Sequence, residues 1–297
     1  MAIRKKVYML PSWTGSAEHM MNLFIRQTPS QSGIWKDIEV TSNLELADFH
    51  VQMDKPKNPL VNPSKTIYMN WEPPNKMGHY LCDDYEVKGR ILFKDFGFPC
   101  MWFLDYTYDE LKQLEYPLKK KKISCVLSDR IKCEGHRIRH RFSKHMCDIC
   151  QNDIDMYGSV KNLDMFKGIL VQEANELTRL GKRGNFLDKT KTIFNYKYHL
   201  CMENSQVVNY FTEKITDALL MWSIPIYWGC PNIFDFFLEK SVITFDATNI
   251  NEVFRIQKHI DQELDEQTIA AIAFDRHRIL DEYNFCNILD KFIKENL

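Results

Sequence analysis

Tyr196-Lys197-Tyr198-His199-Leu200-Cys201-Met202-Glu203-Asn204-Ser205 is the stretch on which the reading of this chain turns. It is continued by Tyr210-Phe211-Thr212-Glu213-Lys214-Ile215 and Ile224-Pro225-Ile226-Tyr227-Trp228-Gly229. The apolar run predicts a strand over Tyr196–Met202 that ends in polar residues. A helix is expected over Thr212–Trp222, with Ile215, Ala218, Leu219 and Trp222 on one stripe. A buried strand is expected over Ile224–Trp228, closed by Gly229. Strand, helix, strand at this spacing is a parallel α/β unit. Ligands of such sheets gather outside the carboxyl ends of the strands. The first turn of the helix offers free N–H groups and the positive end of a dipole, which suits a phosphate. Lys214 adds a mobile cation, and Glu213 is an acceptor-only group able to take both hydroxyls of a ribose. Together they make a nucleoside-diphosphate site without a glycine-rich loop. The same residues read equally well as an ordinary helix start capped by Thr212.

Working outward, the first third alternates in the same way. Strands are expected at Lys6–Leu10, Asp37–Thr41, Phe49–Met53 and Thr66–Asn70, with a helix over Ser16–Arg26 and edge strands at 91–93 and 101–103. Pro117 and the four lysines Lys119–Lys122 read as a hydrated linker between two domains. Beyond it come a strand over Ile123–Leu127, a basic helix over Arg137–Met146 and a strand over Ile154–Tyr157 ending at Gly158. The C-terminal part is expected to hold a short helix over Asn232–Leu238, a strand over Ser241–Phe245 and two further helices. A chain of 297 residues fits two such domains. With 39 Lys and Arg against 40 Asp and Glu it has no global field for nucleic acid or an anionic membrane. No apolar run is long enough to span a bilayer. The basic N-terminus stops short of a signal peptide, and nine scattered cysteines read as reduced thiols, so a soluble cytoplasmic protein is expected.

The run from Tyr196 through Gly229 closely resembles the donor-binding motif of glycosyltransferase family 10, the α1,3/1,4-fucosyltransferases. The resemblance implies a GT-B fold of two Rossmann-like domains facing across a cleft. Residues 1–118 would form the acceptor side and 119–297 would hold the nucleotide sugar, with the last helix a candidate to pack back on the first domain. It implies GDP-fucose as donor, a glycan acceptor, inversion by direct displacement, no further cofactor and no obligatory metal. Carried over by residue, Asn204 and Lys214 would touch the diphosphate, Glu213 the ribose, and Tyr210 would line the cleft. Lys161, in Gly158-Ser159-Val160-Lys161-Asn162, would stand where the family has an arginine on the β-phosphate. Lysine offers a point charge instead of a bidentate fork, and Arg137, Arg139 and Arg141 are rivals for that role.

A second site is expected in Ile67-Tyr68-Met69-Asn70-Trp71-Glu72-Pro73-Pro74-Asn75. Inverting transfer needs a base for the acceptor hydroxyl's proton. Glu72 lies just past a strand, between Trp71 and two prolines, and burial there would raise its pKa. The family places its catalytic glutamate in a comparable position, which makes Glu72 the candidate base. Trp71 reads as a sugar platform or as core. Asp153-Ile154-Asp155 has the spacing of a divalent-ion site but reads better as the end of a strand. Cys133, His136, His140, His145, Cys147 and Cys150 contain one zinc-like pair, but read as thiols and imidazoles of an amphipathic helix. Two rival functions share the scaffold: inverting transfer from another donor such as UDP-xylose, and a non-catalytic nucleotide-sugar or glycan binder. Intact Glu72, Glu213 and Lys214 argue against the binder.

Overall fold

The computed structural model describes residues 4–12, 16–54, 60–69, 71, 86–91, 99–160, 163–172 and 186–297. Glu72 and Lys161 lie outside them. The chain divides into two units: residues 1–101, 106–114 and 278–297 make the first, and 102–105 with 115–277 the second.

The first unit holds β1 (Lys5–Met9), β2 (Ile34–Trp35), β3 (Ile38–Val40), β4 (Phe49–Met53), β5 (Thr66–Met69) and β6 (Gly89–Ile91), ordered β2-β3-β1-β4-β5-β6. All pairs are parallel except β2 with β3. Helix α1 (Ala17–Arg26) starts where the Ser16 hydroxyl accepts the His19 N–H, and it buries Met20, Leu23 and Phe24 as their spacing predicts. Two further helices, α2 (Tyr108–Gln113) and α8 (Phe285–Asn296), belong to this unit. Asn287 Oδ1 of α8 accepts from Trp35 Nε1 (3.3 Å) and Lys36 Nζ (2.6 Å), and Asn284 Nδ2 donates to the Gln27 carbonyl (3.0 Å).

The second unit is a sheet of β7 (Lys121–Leu127), β8 (Ile154–Gly158), β9 (Val171–Gln172), β10 (Tyr196–Met202), β11 (Ile224–Trp228) and β12 (Ile243–Thr244). Their order is β12-β11-β10-β7-β8-β9, with every pair parallel. Its helices are α3 (Glu134–Cys150), α4 (Phe186–Phe194), α5 (Glu213–Leu220), α6 (Glu252–Ile260) and α7 (Glu266–Asp281), the last four residues of α7 counting with the first unit. All five residues of β11 are buried, as the centre of a parallel sheet requires. The chain steps from β7 outward to β9, then returns to β10 and steps the other way to β12. The switch point therefore lies between β7 and β10. Both units are the Rossmann-like α/β halves of which a GT-B fold is composed. No helix among the described residues is long and apolar enough to cross a membrane.

Several expectations are corrected. The lysine run is not a solvated linker, because β7 already begins at Lys121. Lys119 Nζ donates to the Phe194 and Met221 carbonyls (2.7 and 2.6 Å), while Lys121 pairs with Asp155 (2.7 Å) and Lys122 with Asp153 (2.9 Å). Residues 101–103 form no strand; Cys100 makes one bridge to Asn284, and the Asp105 N–H goes to Thr190 Oγ1 (2.7 Å). The expected helix at 232–238 shrinks to a single 3-10 turn, Ile233–Asp235, and three helices, not two, close the chain. Asp153 and Asp155 stand at the start of β8, on the edge of the sheet opposite its carboxyl ends.

Gly158 ends β8 at φ +122°, and a Cβ there would lie 1.8 Å from the Leu127 carbonyl oxygen of the adjacent β7. Gly168 also has positive φ (+84°), but nothing stands within 4 Å of its Cβ position. Gly168→Ala is expected to lower the urea-unfolding free energy by about 1 kcal/mol, the conformational strain alone. Gly158→Ala should cost several times more, because the β7–β8 register must also give way.

Candidate functional site

A pocket of about 260 Å³ opens at the β7–β10 switch point. Its wall takes Val126–Ser128 and Arg130 from β7 and the turn after it, His136 and Arg139 from α3, and Lys189 from α4. His199–Met202 and Asn204 come from β10 and its continuation, and Glu213 and Lys214 from the first turn of α5. The turn after β7 is fixed from two sides. His140 Nε2 is 2.7 Å from the Ser128 carbonyl, and the Asp129 N–H donates to Ser159 Oγ (3.1 Å).

Glu203 explains how the chain that leaves β10 is brought back to this wall at the start of α5. It is fully buried, and its N–H donates to the Trp228 carbonyl (2.8 Å), prolonging the β10–β11 ladder. Its carboxylate accepts the Thr212 N–H (2.8 Å), the Thr212 hydroxyl (2.9 Å) and the Lys214 ammonium (3.1 Å). Thr212 caps α5 in turn, so one carboxylate sets where the helix begins. Gly229 makes room for it: a Cβ there would stand 2.5 Å from Glu203 Cγ and 2.4 Å from the Tyr227 hydroxyl.

Charge in the pocket is largely paired. Lys214 Nζ also meets Thr212 Oγ1 (2.8 Å) and Glu213 (3.6 Å), and Lys189 Nζ meets the fully buried Asp217 (2.5 Å) and Glu213 (3.9 Å). Burial alone would raise the Glu213 pKa, but Lys214 and Lys189 prevail and hold it at about 2, so it is an anion at neutral pH. Burial pushes Asp217 up to about 6 against the pull of Lys189. Burial also lowers His199 to about 3, assisted by Lys189; its ring is therefore neutral, with Nδ1 2.7 Å from Ser124 Oγ. Arg139 NH1 donates to Asn204 Oδ1 (2.6 Å) and the Met202 carbonyl (3.3 Å). Arg130 is exposed and makes no hydrogen bond or ion pair with another described residue. An anionic carboxylate beside several cations and a helix N-terminus can accept sugar hydroxyls while receiving a phosphate.

Of the residues singled out in the sequence, Asn204, Glu213 and Lys214 come together in this wall, joined by Arg139. Tyr210 is 2% exposed and is not part of the wall. Arg137 is paired with Glu134 at the surface (3.4 Å), and Arg141 is exposed away from the pocket. Trp71, in the first unit, is buried, with its N–H on Asp54 Oδ1 (2.6 Å). Asp153 and Asp155 are taken by lysines. No group of three or more His, Cys, Asp or Glu is placed to hold a metal among the described residues. The eight described cysteines are free thiols, and burial pushes Cys147 and Cys150 up to about 12 and about 11. Sequence reasoning missed Arg130, Lys189 and His199. The strand-end rule applied at Met202 would have found Ser128-Asp129-Arg130 after Leu127, whereas Lys189 arrives only by packing of α4.

The family model described as glycosyltransferase family 10 (fucosyltransferase), C-terminal part, matches residues 117–270, just over half of the chain and all of the pocket wall. Similarity extends to the alpha-(1,3)-fucosyltransferase FucT of Helicobacter pylori, 39% identical over 77 residues, which are 26% of this chain and 16% of that protein. The GDP-fucose protein O-fucosyltransferase 3 of Gallus gallus is 24% identical over 146 residues, 48% of this chain and 28% of that protein. The chain thus spans under a third of the length of either relative. A solved structure of an alpha1,3-fucosyltransferase with GDP-fucose aligns at a TM-score of 0.48 and 20% identity, covering 99% of this chain and 90% of that one.

Lys214→Ala would leave the buried Glu203 carboxylate bonded to Thr212 alone. The expected loss in urea-unfolding free energy is about 2 kcal/mol. Adding Glu203→Gln to that variant should recover part of it, since the neutral amide oxygen still accepts from Thr212; no recovery would mean that the ion pair is not what Lys214 contributes.

Proposed function

We propose that this chain, which belongs to glycosyltransferase family 10, transfers fucose from GDP-fucose to a hydroxyl of an oligosaccharide with inversion at the anomeric carbon. The observation that carries the reading is the pocket at the switch point of the family-matching unit, where ionised Glu213 stands beside Lys214 and Asn204. In it Glu213 accepts the ribose hydroxyls. Lys214, the Asn204 amide and the first turn of α5 meet the diphosphate. Lys161 supplies a point charge on the β-phosphate. Arg130, exposed on the pocket wall, brings a guanidinium able to grip phosphate oxygens in pairs. Tyr210 backs the loop from inside, its N–H on the Val207 carbonyl (3.2 Å). The name of the Gallus gallus relative supports GDP-fucose as the donor.

In the reaction the acceptor oxygen attacks the anomeric carbon as the bond to the β-phosphate oxygen breaks. Glu72 takes the acceptor's proton, and GDP leaves. Charge gathering on the departing diphosphate is met by cations and helix N–H groups already in position, which is where electrostatic stabilisation is most effective. Trp71 is the candidate on the acceptor side, and its N–H on Asp54 Oδ1 ties it to the end of β4.

A thermal-shift panel of GDP, UDP, GDP-fucose and UDP-xylose tests the donor. Stabilisation by the guanosine ligands alone is expected, and a shift with the uridine ligands alone would overturn the assignment. Glu72→Gln is expected to keep GDP-fucose affinity within about twofold while turnover falls by a factor of 10² or more. Full turnover in that variant removes Glu72 as the base.

A further inference from the structure

We infer that His199 reads the donor's ribose: its imidazole Nε2–H donates to one hydroxyl oxygen of the diol whose protons Glu213 accepts. The inference rests on the reading of the pocket as a nucleoside-diphosphate site, and it adds to that site a neutral donor. His199 is 5% exposed and belongs to the pocket wall. It stands just below the point where the two central strands stop pairing. The β7–β10 ladder joins His199 to Ser124 and makes its last pair at Leu200 and Cys125, although the strands run on to Met202 and Leu127. Cys201 is on the same face of the sheet as His199. Its Sγ donates to the Lys214 carbonyl (3.1 Å), so this is the face that the first turn of α5 covers. Lys189 stands by both groups, 3.9 Å from the Glu213 carboxylate and close enough to His199 to oppose its protonation.

Ser124 decides which ring nitrogen carries the proton. It is fully buried, and its hydroxyl makes one hydrogen bond among the described residues, to His199 Nδ1 at 2.7 Å. A buried O–H that donates to nothing is costly, so Ser124 donates and Nδ1 accepts. The proton of the neutral ring then sits on Nε2. Nε2 makes no hydrogen bond to another described residue, and it is the nitrogen turned away from Ser124. Buried N–H donors of folded chains find an acceptor, and here the ligand supplies it. A ribose diol suits this donor better than a phosphate does. The ring carries no charge, while the lysines and the N–H groups of α5 already serve the diphosphate. The two hydroxyls give their protons to the Glu213 carboxylate, which only accepts, and their oxygens keep lone pairs for an N–H. Glu213 and His199 thus satisfy the diol in both directions, and a ligand lacking the hydroxyl leaves a buried group unpaired.

The test titrates GDP, 2′-deoxy-GDP and 3′-deoxy-GDP into the full chain by calorimetry. The main variant is Ser124→Ala/His199→Leu, which removes both polar partners and so leaves neither unpaired. It is expected to weaken GDP by about fivefold. With one of the deoxy ligands, the one lacking the hydroxyl that His199 meets, the loss should fall below about twofold. His199→Asn can still accept from Ser124, but its shorter side chain draws the N–H back from the pocket. It guards against misfolding of the double variant and should show the same selective loss. Equal losses on all three ligands, or unchanged GDP affinity, would overturn the inference. Glu213→Ala separates that failure from failure of the site. If it weakens GDP more than the deoxy ligands while the His199 variants do not, the inference falls alone. Equal losses on all three ligands in Glu213→Ala and in the His199 variants would overturn the inference together with the ribose reading of the pocket.

Discussion

A single buried carboxylate organises the C-terminal unit. Glu203 follows β10 directly, continues its ladder to Trp228, and then accepts three donors from the segment that opens α5. A fully buried anion is tolerable only when it is paired and hydrogen-bonded. That requirement dictates much around it: a threonine to cap α5, a lysine two residues on, and a glycine opposite. Through these contacts the end of a strand and the start of a helix are held in one arrangement, and the pocket wall inherits it.

The same economy governs the rest of the site. Lys189 is claimed by Asp217, Lys214 by Glu203, and Arg139 by the Asn204 oxygen and a carbonyl. These positive groups are already ordered by partners in or beside the wall, and their carboxylates offset the repulsion between Arg139 and Lys214. The cost of gathering them is met by the fold and not by the ligand. Arg130 is the exception, exposed at the end of the β7 turn, and it is the group with most freedom to follow a ligand.

Fold and site were legible in the sequence to different depths. β10 and β11 were readable because central parallel strands are continuous apolar runs, and α1 because its stripe and its serine cap agree. The two-residue strands β2 and β9 carry no period to read, whereas β12 falls inside the strand expected over Ser241–Phe245. The aromatic run at 101–103 looks like a strand locally, but the Phe103 N–H goes to the Asp217 carboxylate (3.4 Å), far away in sequence. The lysines of 119–122 mislead for a related reason: mutual repulsion is visible in a four-residue window, whereas Asp153, Asp155 and the carbonyls of Phe194 and Met221 are not. In the site, Asn204, Glu213 and Lys214 could be found because one strand–loop–helix carries them. Lys189 could not, since only tertiary packing brings α4 to that wall, and Arg139 was visible as a cation without its tie to Asn204.

The composition of the first unit has a bearing on biosynthesis. Residues 278–297 belong to it and supply Asn284, Asn287 and Asp290, which bond to the Gln27 carbonyl, to Trp35 and Lys36, and to the Asp37 N–H. A ribosome delivers the first hundred residues long before those partners exist. The stretch from 115 to 277 is contiguous and can close its sheet as soon as it emerges. The first unit can thus be completed only after residues 115–277 have been translated.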